Sequence, residues 1–338
     1  MNLVEPPLAR SRTHDPIEMA REWLEAFDTI ALATVVSAWG SAPVPVGGQL
    51  VVAPDGRFEG SVSGGCVEID VMTEAQDVIA NAKPRLLEFG IADEAAWRAG
   101  LPCGGTIKVF VEPLCAADAA YLDEIVAARR SRRLMAVATN LATGNRSLIE
   151  PATATDPALS AQISAGDSGI VAQADGEIFL HVLMPAVRLV LAGATHITQV
   201  LADLAARVGY DVVIVDPRPA FASAGRFGRM TILEELPETS TASAFDGRTA
   251  VVALTHAAHL DDEALTTALR SDCFYVGALG SRKTHAKRLE RLRAAGITED
   301  QLARIHAPVG LAIGAKGPAE IAVSILAEAV VKVARGIK

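Results

Sequence analysis

The chain has 338 residues, more than a single hydrophobic core ordinarily serves, so its length favours two domains. Half of the residues are apolar, which suits folded cores and excludes an intrinsically disordered chain. A formal net charge of -9 leaves no basic excess for neutralising nucleic-acid phosphates, and no apolar run approaches the roughly 20 residues that a membrane span needs.

The opening residues lack an apolar stretch followed by a small-residue cleavage site, so a secretory signal is not expected. Cys66, Cys103, Cys115 and Cys273 are scattered and form no CxxC pair. That usage suits free thiols in a reducing cytoplasm better than a disulfide scaffold. Cys115 and Cys273 sit in or beside apolar runs and read as core residues.

In chain order, Asp15-Pro16 is a helix-start signal, and Met19, Trp23, Leu24 and Phe27 continue it at helical spacing. Residues 29–37 (TIALATVVS) read as a buried strand. A turn-rich loop, GSAPVPVGG, follows over 40–48. Residues 49–53 and 58–62 flank Pro54-Asp55-Gly56-Arg57 as a hairpin. The stretch SVSGGCVEID (61–70) delivers Cys66 from a small-residue turn to the start of a helix predicted over 67–80. A helix start lowers a thiol pKa, so Cys66 is either a presented thiolate or a small core residue. Next come a strand over 106–112, a helix over 118–133, and short strands at 134–139, 146–150 and 176–183. Residues 151–168, rich in Ala, Thr, Ser, Asp and Pro without period, read as an exposed loop.

Beyond Pro185 the pattern changes to alternating buried strands (188–192, 211–215, 250–254 and 274–277) and amphipathic helices. That alternation marks a parallel α/β sheet. The fold class is therefore α/β: an N-terminal α+β domain over 1–185, then a Rossmann-like parallel domain over 186–338.

Residues 188–216 have the layout of a first βαβ unit. Gly193 permits the tight turn, and the helix start after it offers unpaired N–H groups to a phosphate. Asp216 stands where such folds place the carboxylate that accepts from a ribose hydroxyl. Thr195 and Thr198 occupy the places of the second and third fingerprint glycines, which weakens NAD(P) binding. His196 and His256 follow predicted strand ends. With Asp216 and Asp261 they could bind a metal or move protons, or be ordinary loop histidines. Gly280, Ser281, Arg282 and Lys283 precede another helix and read as an anion cradle or as a solvated basic turn. GLAIGAKGP (310–318) leads into a last helix over 319–333.

Taken together, SGGCVE (63–68), LPCGG (101–105), VDPRPAFA (215–222), FYVGALGSRKTH (274–285) and GLAIGAKGPAEIAVSILAE (310–328) resemble the xanthine dehydrogenase accessory factor family, the XdhC/CoxI type. The resemblance covers roughly residues 19–333. It implies a chaperone that binds the molybdopterin-based molybdenum cofactor, protects it and helps insert it into a molybdenum hydroxylase apo-enzyme. It further implies a homodimer and, as an additional partner, a cysteine desulfurase; the charge and the lack of a long apolar run are what lead us to expect neither nucleic acid nor membrane. Gly64, Gly65, Cys66, Glu68, Cys103, Gly193, His196, Asp216, Arg218, Gly280, Ser281 and Arg282 then become cofactor-binding candidates. A soft metal favours cysteine, which makes Cys66 the candidate metal ligand. The chain departs from the family pattern at Val44, Thr195 and Ala257. A divergent NAD(P)-dependent oxidoreductase acting on a small molecule is the alternative reading.

Overall fold

The computed structural model describes residues 15–40, 42–90, 105–154, 156–173, 176–228, 230–235, 245–255 and 257–336. They divide into two compact units, the first ending at Pro185 and the second beginning at Ala186.

In the first unit Asp15 caps α1 (Pro16–Trp23), accepting the N–H groups of Ile17 at 2.8 Å and Glu18 at 3.3 Å. Pro16 takes the first helical position, where no donor is needed. Five antiparallel strands follow: β1 (Thr29–Trp39), β2 (Gln49–Val52), β3 (Phe58–Gly60), β4 (Arg85–Phe89) and β5 (Thr106–Cys115). Their order in the sheet is β3-β2-β1-β5-β4. β1 is apolar almost throughout because both of its faces are covered. Ala31, Ala33 and Val35 pack with Val71, Ala75 and Val78 of α2 (Glu68–Asn81). Ile30 and Leu32 pack the other way, with α1 and with Leu122 and Ile125 of α3 (Ala119–Arg130).

A second antiparallel sheet orders its strands β7-β6-β9-β8, from β6 (Met135–Asn140), β7 (Arg146–Ile149), β8 (Gly169–Gln173) and β9 (Gly176–Leu183). The loop expected over 151–168 is corrected here. It holds a 3-10 turn, Pro151–Thr153, and α4 (Pro157–Ala165). Asp156 accepts the N–H of Ala158 at 2.8 Å, and Gly166 closes the helix with φ +78°. Ile163 is its one buried apolar residue, so the helix leaves almost no apolar period to read.

In the second unit six parallel strands run in the order β12-β11-β10-β13-β14-β15. They are β10 (Arg188–Ala192), β11 (Asp211–Val215), β12 (Thr231–Leu233), β13 (Thr249–Ala253), β14 (Tyr275–Ala278) and β15 (Ile305–His306). Renumbered within the unit this is 3-2-1-4-5-6, the doubly wound order of dinucleotide folds, with its switch point between β10 and β13. Leu189, Leu191, Ile214 and Val252 face α5 (His196–Arg207) and α10 (Pro318–Gly336). Val190, Val213, Val251 and Val276 face α7 (Ala258–Leu269) and α8 (Arg282–Ala294). The short α6 (Ala224–Phe227) and α9 (Glu299–Leu302) complete the unit. Ligands of such sheets bind beyond the carboxyl ends of the strands. The loops after β10, β11, β13 and β14 therefore stand where such a ligand would bind.

Candidate functional site

In the first unit the turn before α2 is built around one carboxylate. Glu68, buried at the first position of α2, accepts from Ser61 Oγ at 2.6 Å and from the backbone N–H groups of Val62, Ser63 and Gly65 at 3.2, 2.9 and 2.9 Å. It also accepts from Ser63 Oγ. Burial works to raise its pKa, but the hydrogen bonds from Ser61 and Ser63 outweigh that and lower it to about 2. Glu68 therefore braces the loop from inside, and a direct contact with a ligand is not its geometry.

Ser63 passes the bracing on. Its Oγ accepts the N–H of Cys66 at 3.0 Å and of Val67 at 2.9 Å. Gly64 and Gly65 take φ +78° and +109°, a backbone that side-chain-bearing residues rarely adopt. A Cβ on Gly65 would meet nothing within 4 Å, so bare backbone faces open space there. Cys66 is half-buried, leaning on the core beneath α2. The 42–48 loop lies alongside: the side chain of Pro43 comes within 3.5 Å of where a Gly64 Cβ would stand. Val44, one of the departures from the family pattern, packs onto that same core.

In the second unit the glycine turn is occupied by its own side chains. A Cβ on Gly193 (φ +113°) would stand 2.7 Å from Thr255 Cγ2 and 2.9 Å from its Cα, so this glycine is required by packing against the end of β13. Thr195 caps α5, accepting from Thr198 N at 3.3 Å, and Thr198 Oγ1 donates back to Gly193 O. His196 is exposed at the first position of α5.

Asp216 is fully buried. One carboxylate oxygen accepts from Arg218 N and Nε at 3.0 and 2.8 Å; the other accepts from Ala194 N and Arg218 Nη2 at 2.8 and 2.7 Å. With two bonds on each oxygen, it ties the turn to Arg218 and has no edge facing a sugar. In this arrangement Asp216 serves the turn itself, holding the Ala194 N–H and Arg218. Arg218 in turn lies over the Phe221 ring at 4.2 Å. Around the switch point a cavity of about 250 Å³ carries Glu234, Glu235 and Glu263, which would repel a pyrophosphate. This geometry argues against the dinucleotide alternative.

After β14, Gly280 (φ +135°) precedes Ser281, which caps α8 by accepting from Thr284 N at 3.2 Å. Ser281 and Arg282 are exposed, and Arg288 lies buried beneath them. A cleft of about 550 Å³ opens there, lined by Gly280, Ser281, Lys283, Thr284, Lys287 and Arg288 among others. Of the residues singled out from the sequence, Gly280, Ser281 and Lys283 line this cleft and Arg282 does not; Lys287 and Arg288 stood in a long basic helix with nothing to single them out.

Cys103 and His256 lie outside the described residues. Among the described residues no group of three or more His, Cys, Asp or Glu side chains could hold a metal ion. Asp261, paired with His256 in the sequence reading, is buried and accepts from Thr255 N and Oγ1 at 3.1 and 2.7 Å. Cys273 is buried, which pushes its thiol up to about 12, as a core residue should behave. Cys115 is exposed at the end of β5, where the strand gives way to a 3-10 turn, so the core expectation fails for it. Ala257, another departure from the family pattern, stands at the cap of α7 without a side-chain cap bond. Among the described residues no helix is long and apolar enough to cross a membrane.

Fold and loops define a class: an antiparallel α+β unit presenting a half-buried thiol on a carboxylate-braced glycine turn, joined in sequence to a Rossmann-like unit whose nucleotide turn is filled from within. The chain belongs to the XdhC and CoxI family. The model of that family matches residues 23–90, and that of the XdhC Rossmann domain matches residues 189–329. The molybdenum cofactor insertion chaperone PaoD of Escherichia coli (strain K12) is 32% identical over 317 residues, covering 92% of this chain and 86% of that protein. A probable xanthine dehydrogenase subunit of Bacillus subtilis (strain 168) is 28% identical, covering 90% and 93%. A crystal structure titled as a xanthine dehydrogenase from Bacillus halodurans shares the fold with a TM-score of 0.75 at 26% identity, over 96% of this chain and 97% of that one.

Proposed function

We propose that this protein is a molybdenum-cofactor insertion chaperone, which holds the cofactor, shields it and passes it to a molybdenum hydroxylase of the xanthine dehydrogenase type. The observation that carries the reading is the braced turn at Cys66, seen beside 32% identity to an insertion chaperone over most of both chains. A thiolate is a soft ligand suited to a soft metal centre. The open backbone at Gly65 leaves room for a bulky cargo to approach that sulfur. Cys66 is the metal ligand in this reading, and Gly64 and Gly65 form the approach. Cys103 is the companion thiol. A cysteine desulfurase would supply the cargo's terminal sulfur, and the working form is a homodimer.

The test is to purify the protein from a host that makes molybdopterin and measure bound pterin and molybdenum. We expect cargo on the wild type and at least a tenfold loss with Cys66→Ala at unchanged thermal stability. Equal occupancy of the two would overturn the assignment of Cys66, and no pterin on either would overturn the function.

A further inference from the structure

We propose that the cleft at the N-terminus of α8 is a phosphate-binding site, taking the phosphate or diphosphate group of a small ligand. The inference goes beyond the thiol loop and rests on the second unit alone.

Three observations converge on it. The first is Arg288, whose side chain is 2% exposed and lines the cleft. Its Nη2 donates to Leu279 O at 2.8 Å and to Asp261 at a long 3.3 Å. Its Nε and Nη1 are buried with no hydrogen-bond partner among the described residues. A buried guanidinium with two nitrogens unsatisfied is costly, the more so because it is charged. Asp261 offsets that charge only in part, since its other oxygen is committed to Thr255.

The second is the balance of charge around the cleft. Arg291 is neutralised by Asp262, with which it makes a two-pronged pair. Lys283 and Lys287, four residues apart on α8, are exposed to the cleft and have no ion pair among the described residues. Arg282 and Lys283 stand in the first turn of a 13-residue helix, where cations oppose the helix dipole. An anion bound at that point would turn this opposition into attraction.

The third is the approach. A Cβ on Gly280 would stand 3.2 Å from Thr284 Cγ2 and 3.8 Å from Arg288 Nη2. The glycine therefore keeps the path above the guanidinium clear. Hydroxyls of Ser281 and Thr284, 3.0 Å apart, complete the rim. By contrast, the switch-point cavity carries Glu234, Glu235 and Glu263, so the unit's basic cleft and its acidic cavity are different places.

Such a phosphate belongs either to a phosphate monoester, as on a pterin cargo, or to the diphosphate of a free nucleotide. Calorimetric titration of the full chain with inorganic phosphate, pyrophosphate and ADP, in chloride buffer, tests the site and separates the sources. We expect saturable pyrophosphate binding at one per chain, weakened at least tenfold by Lys283→Ala/Lys287→Ala with unchanged melting temperature, and also weakened by Arg288→Met. ADP binding more than tenfold tighter than pyrophosphate assigns the site to a nucleotide. ADP binding no tighter than inorganic phosphate assigns it to a monoester. No saturable binding of any of the three, or pyrophosphate binding untouched by the double lysine variant, would overturn the proposal. Pterin content of the same preparations reports separately on the chaperone reading, so the two can fail independently.

Discussion

Ser63 stands between Glu68 and Cys66 as a two-way relay: its hydroxyl donates to the Glu68 carboxylate and accepts the Cys66 N–H at 3.0 Å. The backbone that carries the thiol is thus held by a carboxylate two residues further along the chain. Its negative charge also suits the first turn of α2.

Glu68→Ala should therefore damage the loop more than any change to Cys66 itself. Several buried N–H and O–H groups lose their acceptor, at about 1–3 kcal/mol each where water cannot replace it. A net loss of about 3 kcal/mol, read as a lower denaturant midpoint at unchanged slope, is expected together with loss of bound pterin. Glu68→Gln keeps the shape but must direct an NH₂ at one of those donors, so it should fall between. The carboxylate also gives an acid window. Its folded pKa of about 2 lies below the ordinary 4.5, so its stabilisation is complete above about pH 4.5 and is lost as pH falls toward 2. Glu68→Ala should show a flatter pH profile across that range.

Much of this molecule was legible in its residues, and the reasons for the misses are physical. The second unit was read well because parallel strands buried on both faces leave continuous apolar runs, broken by glycine turns at Gly193 and Gly280. The helix Pro157–Ala165 was missed although Asp156-Pro157 repeats the Asp15-Pro16 start signal, because it buries Ile163 and little else. Cys66 was singled out by its two preceding glycines. The role of Glu68 was not, since five hydrogen bonds converging on one carboxylate depend on a fold-back that spacing does not encode. Asp216 was placed correctly at the end of β11, but its bonds to Ala194 and Arg218 were not legible. Whether such a carboxylate faces a ligand or its own chain depended on Arg218, two residues on. Arg288 stood among six other Lys and Arg residues between 282 and 304, and only packing distinguished it.

A second pH effect comes from His181, which stacks on Phe179 with ring centroids 5.8 Å apart and lies against Gly47. Burial lowers its pKa to about 4, and the Arg129 cation adds to the shift. Because the folded pKa lies below the ordinary 6.5, the unfolded chain binds more protons between the two values. Stability should be full above about pH 6.5 and fall as pH drops toward 4, by at most about 1.4 kcal/mol per pH unit. Denaturant unfolding at pH 7 and pH 5 measures it. His181→Gln should lose that difference, and an equal slope in wild type and variant would exclude His181 as its source.

Asp216→Ala separates a structural role from a ligand role. The substitution strands the Ala194 N–H and frees Arg218, so the loss should appear as stability, about 2 kcal/mol, with no dinucleotide binding to lose. A calorimetric titration of the wild type with NADH should show no saturable heat. Saturable binding that Asp216→Ala abolishes would restore the ribose-acceptor role.

Gly193 and Gly65 both take positive φ, yet alanine at the two should act differently. At Gly193 the new methyl would stand under 3.0 Å from three atoms of Thr255, two of them backbone, so β10 and β13 must move apart at their carboxyl ends. Overpacking adds to the backbone strain, and a loss of at least about 3 kcal/mol is expected, visible as a fall in melting temperature. At Gly65 the methyl meets nothing within 4 Å, so only the strain at φ +109° remains, about 1–2 kcal/mol. In the chaperone reading that methyl would stand in the approach of the cargo to Cys66. Gly65→Ala should accordingly lose bound pterin out of proportion to its stability, and Gly193→Ala should lose stability without selective loss of pterin per folded chain. Measuring pterin and melting temperature on the same two preparations decides it, and the reverse pattern would place the cargo at the glycine turn of the second unit.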